Sequence, residues 1–86
     1  MEKIITCEIS FIPIGNSDYE NEINRVIDII RSFGIECHTG LLSTTVRGGK
    51  EEIFNMLRQI FDESEKRTKF TMTIKLSNEC GCTKKV

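Results

Sequence analysis

The polar residues with the most chemistry to offer lie on alternate positions of short β-type segments. In Thr6-Cys7-Glu8-Ile9-Ser10 the polar side chains fall on every second residue, which places Thr6, Glu8 and Ser10 on one face of a strand. The same alternation groups Glu36 with His38, then Ser43, Thr45 and Arg47, then Thr71, Thr73 and Lys75. A carboxylate accepts hydrogen bonds and offsets positive charge, and hydroxyls both donate and accept. Together on one uncovered face they would form a surface for a small ligand. Glu8, Ser10, His38, Ser43, Thr45 and Thr73 are the candidate ligand-binding residues. The plain alternative is a solvated sheet face, which commonly carries threonine and charge. Two features weigh against it: Glu8 falls mid-strand with no evident stabilising purpose, and the face is poor in long Lys and Glu side chains.

No catalytic set is readable. Nothing near the hydroxyl residues marks a strained nucleophile turn, so no Ser-His-acid arrangement emerges. Gly48-Gly49-Lys50 lacks the flanking pattern of a phosphate loop. His38, the one histidine, has no neighbouring Cys, His and carboxylate set at metal spacing. We therefore expect no catalytic residue, no metal and no cofactor.

The elements that position these residues follow from periodicity. Residues 4–12 alternate, with Ile5, Cys7, Ile9 and Phe11 on the apolar side, and Pro13, the only proline, is expected to stop the strand. Ser17-Asp18-Tyr19-Glu20 matches a capping box. Ile23, Val26, Ile27, Ile30 and Phe33 then make a helical stripe, closed by Gly34. Residues 35–39 and 42–47 read as two strands, with Gly48 and Gly49 closing the second. A second helix begins at Lys50, with Ile53, Phe54, Leu57, Ile60 and Phe61 on its apolar side and Glu51 and Glu52 in its acidic first turn. Residues 70–76 alternate again as a fourth strand. The order strand, helix, strand, strand, helix, strand is that of an α+β ferredoxin-like βαββαβ sandwich. Right-handed crossovers put both helices on one face of a four-stranded antiparallel sheet. The first and third strands are then central, and the face opposite the helices is open.

At 86 residues the chain is expected to form a single domain, residues 1–86, with 79–86 as a tail. A domain this small buries about 60% of its unfolded surface, so self-association into a homodimer or homotetramer is expected. The net charge is -1, with Lys and Arg spread along the chain, which argues against a nucleic-acid partner. No apolar run approaches the roughly 20 residues of a spanning helix, and the N-terminus has no signal-peptide layout. A cytoplasmic location with no membrane partner is expected. Of the four cysteines, Cys7 and Cys37 fall on core-facing positions and read as small buried hydrophobes. Cys80 and Cys82 lie in the polar tail; two thiols are too few for a closed zinc site within one chain.

Three blocks together resemble a known family. Ile9-Ser10-Phe11-Ile12-Pro13-Ile14-Gly15 is similar to the first-strand signature of the small thiamine- and hydroxymethylpyrimidine-binding proteins. Ser43-Thr44-Thr45-Val46-Arg47-Gly48 is similar to their third-strand threonine motif, and Thr71-Met72-Thr73-Ile74-Lys75 to their last strand. The resemblance spans residues 4–76. It implies a ferredoxin-like unit that pairs sheet to sheet into dimers or dimers of dimers and binds thiamine or its pyrimidine part near the interface without turning it over. In that setting Glu8 would accept from the amino group or offset the thiazolium charge, and Ser10, Ser43 and Thr45 would supply hydroxyl hydrogen bonds. The chain departs from the pattern at Arg47, where relatives carry an acidic residue, and in Cys80-Gly81-Cys82, where they carry a charged extension. The alternatives are a regulatory or interaction domain of the same fold that binds another metabolite, and a thiol metal-binding protein acting through Cys80 and Cys82.

Overall fold

The structure, a computed structural model, describes residues 3–15 and 17–79. Six elements follow one another: β1 (Ile4–Ile14), α1 (Tyr19–Ser32), β2 (Glu36–Thr39), β3 (Thr44–Gly49), α2 (Lys50–Glu65) and β4 (Lys69–Ser77). The strands form one sheet in the order β2-β3-β1-β4, every neighbouring pair antiparallel. This is the ferredoxin-like sandwich that the alternating periods predict, with β1 and β3 central.

The core lies between the sheet and the two helices. Ile5, Cys7 and Ile9 from β1 and Val46 from β3 meet Val26 and Ile30 of α1 and Ile53, Met56, Leu57 and Ile60 of α2. Cys7 is fully buried, and its thiol is pushed up to about 11, first by burial and then by the negative charge of neighbouring Glu8. A thiol so shifted is protonated at neutral pH and unreactive. Glu22 is the exception among buried α1 residues, 5% exposed on the inward side. Arg67 reaches it with Nε donating to Oε1 at 3.0 Å and Nη2 donating to Oε2 at 3.1 Å. This fork ties the start of α1 to the α2–β4 connection and raises the guanidinium further above its ordinary range.

Four local expectations are corrected. The capping box does not form: Asp18 occupies the N-cap without a side-chain cap bond, and its Oδ1 accepts instead from Asn21 Nδ2 at 2.8 Å. Pro13 does not end β1, which continues to Ile14 in register with Phe70 and Lys69 of β4. The β1–β3 ladder already ends at the pair Ile9 and Thr44, so Pro13 sits where one side of β1 is an edge, and a missing N–H is tolerated there. Gly48 and Gly49 do not close β3 but belong to it, paired with Ile5 and Ile4. In α2, Met56 takes a core position, while Phe54 and Phe61 lie half exposed on the flank facing β4. Phe61 there meets Phe70 edge to face at 5.1 Å, and Phe70 stacks on Phe11 at 5.0 Å. Gly34 does end α1 as expected, with φ +67°.

Gly48 leaves little room for a side chain. A Cβ there would stand 3.0 Å from Cγ2 and 3.2 Å from Cβ of Ile35, which packs over it. Gly48→Ala is therefore expected to lower the unfolding free energy by about 1–3 kcal/mol, the range for forcing extra volume into a packed site. Urea unfolding measures it; unchanged stability would show that Ile35 can move aside freely.

Candidate functional site on the open sheet face

Antiparallel register determines which side chains share the uncovered face. Glu8 stands opposite Thr45 of β3 and Lys75 of β4, Thr45 stands opposite His38 of β2, and Ser10 stands opposite Thr73. The next row holds Glu36, Arg47, Thr6 and Ser77. Glu8 is thus at the middle of the sheet, on a strand paired on both sides.

Two hydrogen bonds shape the centre of this face. Ser43 Oγ donates to Glu8 Oε2 at 2.9 Å, and Ser10 Oγ donates to the Leu42 carbonyl at 3.1 Å. They draw the end of the β2–β3 connection over the sheet and leave a cavity of 220 Å³ lined by Glu8, Ser10, Leu42, Ser43, Thr73 and Lys75. Among the described residues Glu8 makes no ion pair, although Lys75 faces it across the sheet. The cavity therefore offers a carboxylate held by the Ser43 hydroxyl, two further hydrogen-bonding groups in Ser10 and Thr73, and an ammonium at its edge. Such a set can bind a molecule bearing an amino group or a positive charge, and an anionic substituent on the side of Lys75.

The structure brings four of the six candidate residues, Glu8, Ser10, Ser43 and Thr73, around this one cavity. Thr45 flanks Glu8 on the β3 side without lining it. His38 stands apart, its side chain 73% exposed and its Nε2 2.9 Å from Glu36 Oε2. Lys75 and Leu42 were not among the candidates. Lys75 can be paired with Glu8 only once the strand register is known, and Leu42 reads as strand although it lies in the loop before β3. The same face also carries exposed apolar residues that alternation alone leaves unremarked: Ile12 and Ile14, with Leu42 beside the cavity, are all exposed.

Arg47, the departure from the family pattern, does not confront the cavity as a bare cation. Its Nε and Nη2 donate to Glu36 Oε1 at 3.0 and 2.6 Å, and Nη2 also donates to Oε2 at 2.7 Å. These bonds, and then the hydrogen bond with His38, hold the Glu36 carboxyl below its ordinary value of 4.5. A depressed carboxylate adds stability above its unfolded-state pKa and loses it as the pH falls through the folded-state value. Glu36→Gln is accordingly expected to lower the melting temperature slightly at neutral pH, with the difference vanishing in acid below the carboxylate range. Equal melting curves at neutral pH would show the cluster to be energetically idle, as many exposed pairs are.

Among the described residues no group of three or more Cys, His, Asp or Glu side chains is placed to hold a metal. Cys80 and Cys82 lie outside the described residues. No helix among those described is long and apolar enough to cross a membrane.

Known structures share this architecture. A protein from Thermotoga maritima provisionally assigned to thiamine biosynthesis and salvage superposes with a TM-score of 0.78 at 26% identity, over 86% of this chain and 82% of its own. A hypothetical protein from Methanocaldococcus jannascii gives a TM-score of 0.79 at 16% identity, over 87% of this chain and 79% of its own. A domain of unknown function from Bacillus cereus gives 0.80 at 15% identity, over 100% of this chain and 86% of its own. The last two support the fold alone. No curated protein matches the chain. The sequence also fits a family model across residues 4–83, which contain every strand and both helices, and on that match the chain belongs to the YKOF-related family.

Proposed function

We propose that this protein binds thiamine or a related pyrimidine metabolite in the cytoplasm without converting it, on the open face of its sheet and at an interface between copies of the chain. The observation that carries this reading is Glu8, a carboxylate in mid-sheet at the head of a cavity, held by the Ser43 hydroxyl and by no cation among the described residues. A thiazolium or an aminopyrimidine supplies what that carboxylate lacks. Lys75 at the cavity edge suits a phosphate, so the phosphorylated forms belong to the same ligand class. The likeness to the Thermotoga protein points the same way. His38 stands outside the cavity, engaged by Glu36, so no histidine is available there as a general base for its hydroxyls.

Exposed Ile12, Ile14 and Leu42 on the same face support the expectation of a homodimer or homotetramer with sheets stacked. Stacking would cover apolar surface that one small domain leaves in water and would desolvate the Glu8 cavity, strengthening its hold on a cation.

Calorimetric titration with thiamine, its phosphates and hydroxymethylpyrimidine tests the binding. Glu8→Gln, nearly isosteric, is expected to keep the fold and weaken binding by about 1.5–3 kcal/mol, the range for hydrogen bonds to charged groups. Unchanged affinity would reduce Glu8 to a surface residue. Light scattering of the same samples at micromolar concentration is expected to give the mass of two or four chains, and a monomer would remove the interface from the account.

A further inference from the structure

A larger cavity lies on the face that carries the helices, at the end of the sheet where β1 begins, β4 ends and α2 starts. It is a cleft of 670 Å³ with Ile5, Phe54 and Leu76 as its apolar walls. Leu76 stands opposite Cys7, which is sealed in the core, so its side chain is directed to the helix-covered face. Leu76 is nevertheless 43% exposed, and Phe54 of α2 is 47% exposed. Both border the cleft, and their apolar surface is left to it. The cleft shares no lining residue with the Glu8 cavity.

Two lysines meet at this cleft because the backbone brings them together. Ile4 pairs with Gly49 at the end of the β1–β3 ladder, and one step further the Lys50 N–H donates to the Lys3 carbonyl at 2.8 Å. That bond sets Lys3 and Lys50 side by side, and both line the cleft. Neither ammonium has an ion-pair partner among the described residues, and no described carboxylate lines the cleft. Ser77 and Asn78 complete its lining from the end of β4. Ser77 Oγ accepts from the Glu79 N–H at 3.1 Å, which leaves its own proton to donate, and Asn78 carries two amide donors. The cleft therefore joins an apolar floor to a rim of donors and uncompensated positive charge.

We propose that this cleft is a second binding site, independent of the Glu8 cavity, for a small molecule in which a phosphate monoester is joined to a flat apolar body. A phosphate monoester carries about −1.5 to −2 charges at neutral pH and three acceptor oxygens, which matches two ammoniums and the Ser77 and Asn78 donors better than a singly charged carboxylate does. Lysine binds phosphate as a point charge. The apolar body lies between Phe54 and Leu76 over Ile5 and buries surface that the fold itself leaves in water. Apolar walls with a few convergent polar groups, in a volume of about 300–1,000 Å³, are the usual make-up of small-ligand sites. The two sites are opposite in sign: the Glu8 carboxylate selects an amino group or a cation, and the lysine pair selects an anion.

The test uses 1-naphthyl phosphate as the two-part probe, with inorganic phosphate and 1-naphthol as its separate halves, read by amide shifts in ¹H–¹⁵N spectra and by calorimetry on the full chain. In the unaltered protein the two-part probe is expected to give saturable shifts at Ile5, Lys50, Phe54 and Leu76 and to bind more tightly than either half. The double variant Lys3→Gln, Lys50→Gln is expected to weaken it by about tenfold or more, the loss of a charge-assisted hydrogen bond or two. Each single variant, Lys3→Gln and Lys50→Gln, is expected to show part of that loss, and these serve should the double variant fail to fold by circular dichroism. The charge-matched variant Lys66→Gln, Lys69→Gln, away from the cleft, is expected to bind as the unaltered protein does. Phe54→Ala is expected to weaken the two-part probe and leave inorganic phosphate unaffected. Undiminished affinity without Lys3 and Lys50, or an equal loss in the charge-matched variant, would overturn the proposal. So would shifts centred on Ser10, Ser43 and Thr73 instead of the cleft, or no saturable shift at all.

Discussion

Everything else in this molecule depends on β1 being paired on both sides and covered on only one. A central strand with helices on a single face must send alternate side chains to opposite environments. Cys7 and Glu8 show the result within two residues. The thiol is sealed in the core and pushed up to about 11 by its burial, with the charge of Glu8 adding to the shift. The carboxylate emerges on the open side between Thr45 and Lys75. A one-residue slip of register would exchange the two, burying the carboxylate and exposing the core, so the same constraint that holds the fold places Glu8 at the centre of the open face.

The second determinant is a difference in strand length. β1 extends to Ile14 along β4, whereas β3 leaves it after Thr44. The chain entering β3 is therefore held to β1 by side chains, and the hydroxyls of Ser10 and Ser43 do this work. The Glu8 cavity lies where that mismatch leaves Leu42 and Ser43 outside the ladder. A longer β3 would close the ladder and bring Leu42 into the sheet, removing the cavity that Leu42 and Ser43 line.

The architecture was legible because alternation and helical periodicity rarely conflict in this chain. Four of the six candidate residues share one cavity for the same reason, since a common face in sequence becomes a common face in space. What escaped the sequence depends on contacts, near or far along the chain, that alternation does not specify. Gly48 and Gly49 look like a strand terminator, but both stay in β3 because they pair with Ile5 and Ile4 of β1. Phe54 seems a better core residue than Met56, yet the flank of α2 over β4 offers it only partial cover. His38 shares the open face in sequence but is captured by a carboxylate two residues away. Ser17 and Glu20 carry the letters of a capping box while Asp18 takes the cap position. In each case a contact that one-dimensional spacing does not contain decided the outcome.

Membership of the YKOF-related family and the likeness to a Thermotoga protein provisionally tied to thiamine set the chemical context, but the account stands or falls on where a ligand sits. The direct measurement is amide-resolved ¹H–¹⁵N spectroscopy of the intact protein titrated with thiamine. The account predicts saturable shifts centred on Glu8, Ser10, Leu42, Ser43, Thr73 and Lys75, with the groove between α1 and α2 that Glu22 and Arg67 line left unchanged. Shifts centred on that helical groove, or no saturable shift anywhere on the open face, would contradict it.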